Sequence, residues 1–96
     1  MKIDKIIKKL NTLFPENIQE SYDNTGSQIL FNEDDIKQIY VCLDADKNTI
    51  RDAKQKGCNL IISHHPLIFR PIKKITSEES RSKILIELIT ERISLY

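Results

Sequence analysis

The 96 residues suffice for one small domain, and with 40% apolar and 30% charged residues the composition is that of an ordinary globular chain. Fifteen basic against 14 acidic residues leave a formal charge of +1, which sets up no field to gather nucleic acid or an anionic membrane surface. No apolar run is long enough to span a bilayer, and Met1-Lys2-Ile3-Asp4-Lys5 is charged where a signal peptide needs its apolar stretch, so the expected compartment is the cytoplasm. Cys42 and Cys58, with no CxxC spacing, fit reduced and mostly buried thiols there.

Ile3, Ile6, Ile7, Leu10 and Leu13 recur at helical spacing, and Asp4 is placed to accept the free N–H groups of the first turn. Phe14-Pro15 ends that helix, because a residue before proline is pushed out of the α region. Residues 20–26 are polar and turn-rich and read as an ordered loop, residues 28–31 as a short strand, and residues 32–35 as a polar turn. The β-rich run at 39–43 stops at Asp44. Asp46 then caps a helix through Ile50 and Ala53, which Gly57 closes as a left-handed C-cap.

Residues 59–63 are apolar at successive positions, a pattern of burial on both faces, as in a parallel sheet covered by helices. Strand, helix and strand within about 30 residues make a βαβ unit. Residues 67–75 connect, and residues 77–80 start a last helix with acids in its first turn, carrying the stripe Ile84, Leu85, Leu88 and Ile89. Residues 93–96 begin another strand, where the sequence stops. The expected fold class is α/β, a mixed or parallel sheet covered by helices. Residues 1–96 read as a single N-terminal domain, the incomplete first part of a larger layered fold.

In open α/β sheets ligands bind beyond the carboxyl ends of the strands. Two strands end there on polar side chains, at Asp44 and at Ser63-His64-His65-Pro66. Neighbouring side chains within a strand point to opposite faces, but at a strand end the backbone is freer, and Pro66 holds His65 extended. The two rings could then each reach a different ion of a pair about 3.5–4 Å apart. Spacing alone favours two unrelated loop imidazoles; the position after a buried strand is what raises the metal reading. Asp44 is the carboxylate best placed to line the site, or else an acid near the next helix N-terminus. Ser63 beside His64 lacks a Gly-x-Ser-x-Gly elbow, and no Gly-rich phosphate loop exists, so the sequence names no nucleophile or catalytic residue.

Four segments, taken together, resemble a known family. They are Tyr22-Asp23-Asn24-Thr25-Gly26, Val41-Cys42-Leu43-Asp44, the string from Gly57 through His64-His65-Pro66-Leu67-Ile68-Phe69, and Arg92-Ile93-Ser94-Leu95-Tyr96. In this order they are similar to segments of the GTP cyclohydrolase I type 2 homologues, also called dinuclear metal centre proteins. Tyr22 stands for that family's Trp, and Ser27 for its usual Leu. The resemblance implies that His64 and His65 each bind one ion of a divalent pair of zinc, manganese or iron. An Asp, a His and a Glu beyond Tyr96 would complete the ligand set, with Asn24 and Asp44 lining the site. It further implies a homo-oligomer acting on a small-molecule substrate, by metal-activated water opening a ring of a GTP-like compound. The alternative is a metal-binding or protein-interaction scaffold without catalysis.

Overall fold

The structure, a computed structural model, describes residues 1–14, 26–68 and 70–96. Their order is α1 (Ile3–Leu13), β1 (Ile39–Cys42), α2 (Lys47–Gln55), β2 (Leu60–Ser63), α3 (Ser80–Thr90) and β3 (Ser94–Leu95). The three strands form one parallel sheet in the order β1-β2-β3, with Ile39 opposite Leu60 and Cys42 opposite Ser63, and with Ile61 opposite Leu95. The sheet expected as mixed or parallel is parallel, with isolated antiparallel bridges at Ile29–Leu95 beside β3 and at Lys2–Asp35 before α1.

The continuous apolarity of β2 has the meaning expected of it. Successive side chains leave a strand on opposite faces. Leu60 packs with Ile3 and Ile7 of α1, while its neighbour Ile61 packs with Ile50, Ala53, Leu88 and Leu95 on the α2–α3 side. Helices therefore cover both faces, and Leu60 and Ile61 are both fully buried. Burying each such side chain contributes about 1.5–3 kcal/mol, so these two residues tie both layers to the central strand.

Local chemistry sets the element ends. The Asp46 carboxylate accepts the Thr49 N–H at 2.8 Å and caps α2. At the other end Gly57 adopts φ 72°, and the Cys58 and Gly57 N–H groups return to the Ala53 and Lys54 carbonyls, the double return of a Schellman closure. The last helix starts slightly later than its sequence suggests. Glu79 is its cap, accepting from the Arg81 and Ser82 N–H groups, rather than an acid within its first turn.

Three local expectations are corrected. At α1 the Ile3 and Asp4 N–H groups donate to the Asp34 and Asn32 carbonyls, so main chain from the 32–34 turn fills the role assigned to Asp4. The segment at 28–31 makes one bridge and not a strand, because the Phe31 N–H donates to the Ser94 hydroxyl at 2.9 Å and leaves the ladder. Ile89, assigned to the buried stripe of α3, is 50% exposed; Leu85 and Leu88 are its buried members.

Candidate functional site

Parallel strands deliver their carboxyl ends to one edge of the sheet, and the chain continues the pairing past the strands themselves. The His64 N–H donates to the Cys42 carbonyl and the His65 N–H to the Leu43 carbonyl, both at 2.9 Å. Ser63 locks the turn. Its hydroxyl lies 2.7 Å from the His65 carbonyl and 3.1 Å from that of Leu43, so it donates to main chain. That use of the hydroxyl agrees with leaving Ser63 out of the nucleophiles.

Main-chain pairing between Leu43 and His65 brings the next side chain, Asp44, against the imidazole. Asp44 Oδ1 lies 2.9 Å from His65 Nδ1, with the two side chains 66% and 59% exposed. The His64 and His65 ring centroids are 4.8 Å apart, tilted by 60°. Both histidines are exposed, though they follow a buried strand. Asn24 lies outside the described residues.

Beside the rings opens a cleft of about 400 Å³, lined by His64 and His65 and by apolar groups that include Leu10, Val41, Ile62 and Leu67. Gln28 ties its wall together, its side-chain oxygen accepting the Ile68 N–H at 2.8 Å. Tyr96 also lines the cleft while its hydroxyl donates to Asn11 of α1 at 3.0 Å. Cys42 lines it too; burial pushes its thiol up, so it stays protonated at neutral pH. Both cysteines are free. Sequence reasoning missed Gln28, Cys42 and Tyr96 as cleft residues. The available signal was the register of β1 with β2 and of β2 with β3, legible only once the strand order is known.

Imidazole nitrogens suit zinc or iron, and the adjacent rings fit the role of donors; manganese would lean on oxygen ligands from elsewhere. They do not complete a site. Among the described residues no group of three or more His, Cys, Asp or Glu side chains is placed to hold an ion. No described helix is long and apolar enough to cross a membrane.

Comparison with known proteins agrees with the geometry. The chain is 36% identical over 96 residues to the GTP cyclohydrolase 1 type 2 homolog of Clostridium perfringens, covering all of this chain and 37% of that protein. It is 36% identical over 93 residues to the GTP cyclohydrolase 1 type 2 of Helicobacter pylori, covering 97% of this chain and 37% of that one. The crystal structure of the Staphylococcus aureus protein SA1388 superposes with a TM-score of 0.91 at 33% identity, over 99% of this chain and 27% of the other. The chain thus spans between about a quarter and two-fifths of the length of these relatives. Residues 1–96 in full match the Duf34/NIF3 (NGG1p interacting factor 3) family, and the chain belongs to it.

Proposed function

We propose that this chain supplies His64 and His65 to a dinuclear divalent-metal centre at the carboxyl end of its sheet, in a protein that hydrolyses a GTP-like substrate. The observation that carries the reading is the pair of exposed imidazoles, 4.8 Å apart, beyond the end of a buried parallel strand and beside an apolar cleft. The name of the Helicobacter pylori relative supports the substrate class.

When bound, a pair of divalent ions supplies Lewis acidity and lowers the pKa of a coordinated water. The chain's own residues do the rest. His64 and His65 present ring nitrogens without adding negative charge. The apolar wall at Leu10, Val41 and Ile62 gives a planar ring a dry surface to lie against. The remaining ligands lie outside the described residues. Homo-oligomeric assembly in the cytoplasm belongs to the same reading. Ile39, Val41 and Leu43 expose 40%, 74% and 68% of their surface on and just after the edge strand β1, and an assembly would have this apolar area to cover.

A second reading, a metal-binding or protein-interaction scaffold without turnover, draws on one observation. Asp44 is the carboxylate that meets the imidazoles, and its Oδ1 is engaged by His65, which leaves no evident general base beside the cleft among the described residues. Elemental analysis and GTP turnover, measured in a protein of the relatives' full length, separate the two. His64→Ala and His65→Ala should each lower bound divalent metal and abolish ring opening while far-UV circular dichroism stays unchanged. Metal uptake that depends on the histidines without turnover favours the scaffold. Two ions per chain retained in both variants would remove the metal centre altogether.

A further inference from the structure

His64 and His65 are adjacent, yet the fold treats them differently. His65 Nδ1 lies 2.9 Å from Asp44 Oδ1, whereas among the described residues the His64 ring makes no side-chain hydrogen bond and lies 4.8 Å, centroid to centroid, from its neighbour's ring. An ionised carboxylate only accepts hydrogen bonds, so the Nδ1 atom facing it carries the proton. In the neutral ring that assignment puts the lone pair on Nε2. Among the described residues no other side chain or main-chain group meets the Asp44 carboxylate. The cap of α2, which would be its structural alternative, is made by Asp46 through Oδ1, and the α2 contact that Asp44 makes is the Thr49 hydroxyl on its main-chain carbonyl.

Resting on the metal reading above, we propose that Asp44 is a positioning residue that fixes His65 as the Nδ1–H tautomer, aims Nε2 at the ion and makes His65 the stronger of the two imidazole donors. The backbone brings the two side chains together. Leu43 accepts the His65 N–H, Ser63 holds the His65 carbonyl, and Asp44 is anchored through Thr49 to the first turn of α2. Hydrogen bonding to a carboxylate raises the basicity of the opposite nitrogen, and loss of such a partner costs about 10- to 100-fold in metal affinity. His64 has no carboxylate partner among the described residues to hold it in the Nδ1–H form.

The test uses the metal-free, ¹⁵N-labelled chain and long-range ¹H–¹⁵N correlation of its two imidazoles, at about pH 8.5, well above the ordinary range of histidine. His65 should show a protonated Nδ1 and a bare Nε2. Asp44→Ala should move it toward the Nε2–H form and leave His64 unchanged; Asp44→Asn, which keeps an acceptor oxygen, should hold much of the original pattern. Titration with zinc chloride should find affinity weakened about 10- to 100-fold in Asp44→Ala and less in Asp44→Asn. A His65 ring already Nε2–H in the unaltered chain, or one indifferent to Asp44→Ala, overturns the proposal. If His65→Ala weakens zinc binding but Asp44→Ala does not, the positioning role alone falls. If His65→Ala leaves zinc binding intact, the metal reading falls and takes the proposal with it.

Discussion

The two ends of the sheet use their polar side chains in opposite ways. At the amino end, Asn59 is buried and saturated. Its Oδ1 accepts the Lys37 N–H at 2.9 Å, its Nδ2 donates to the Asp35 carbonyl at 2.7 Å, and its own N–H reaches Gln38. Nearby, Arg92 grips both oxygens of Asp34, at 2.7 and 3.1 Å, with its guanidinium 4.6 Å over the Phe31 ring. At the carboxyl end, His64 and His65 stand exposed, and of their side-chain nitrogens only Nδ1 of His65 meets a partner among the described residues. Polar groups that hold a fold together are consumed by it. Groups left pointing outward from a rigid strand end are what a ligand can use.

The contrast makes the amino end the costlier one to damage. Asn59→Ala orphans the Lys37 N–H and the Asp35 carbonyl, at about 1–3 kcal/mol for each group that stays buried. Lys37 and Asp35 are themselves exposed, so urea unfolding should register a loss of about 1–3 kcal/mol, and a loss under about 0.5 kcal/mol would put the clamp in doubt. Gly57→Ala should cost about 1 kcal/mol, since its added Cβ meets open space and only the φ of 72° resists it. The matching closure after α3 uses Arg92, at φ 54°, whose N–H and that of Ile93 return to the Ile89 and Leu88 carbonyls. A left-handed arginine is strained, so Arg92→Gly relaxes the backbone while losing Asp34 and Phe31. The melting temperature should still fall, and a rise would mean that the clamp is weaker than its geometry.

Glu79 gives a control remote from both ends. Its carboxyl is held below the usual range by the Ser82 hydroxyl and by the Ser82 and Arg81 N–H groups. A group depressed in the folded state contributes stability that is present above its unfolded pKa and is lost as pH falls through the folded value. Chemical denaturation between about pH 6 and pH 3 should therefore show a steeper acid loss than in Glu79→Gln; equal slopes would count against the cap. The smallest effect belongs to the carboxyl end. His64→Ala and His65→Ala should each change stability by less than about 0.5 kcal/mol, as exposed side chains do. A larger loss would show that the rings serve the fold and would erase the contrast.

Much of this was legible in the sequence because short-range chemistry decides it. The run Leu60-Ile61-Ile62 announced a strand buried on both faces, Asp46 and Gly57 marked both ends of α2, and His64-His65-Pro66 announced a strand end with donors. What escaped notice depends on distant residues. The bond of Phe31 to Ser94 spans 63 positions, and that of Arg92 to Asp34 spans 58; neither leaves a local pattern. Asp44 could be singled out from its place after β1, although it meets His65 and is not among the residues that line the cleft. That it meets His65 through Nδ1 follows from the strand register, which periodicity does not contain.

The central proposal is that the carboxyl end of the sheet contributes two imidazoles of a five-ligand metal site, too few to hold an ion pair by themselves. Two imidazoles bring no negative charge, and two divalent ions about 4 Å apart repel strongly unless anions bridge them. Calorimetric titration of the 96-residue chain with zinc, repeated on the His64→Ala/His65→Ala double variant, tests this most directly. The account predicts one weakly bound ion at most, lost in the double variant. Two tight sites per chain, or a zinc isotherm that the double variant leaves unchanged, would contradict it.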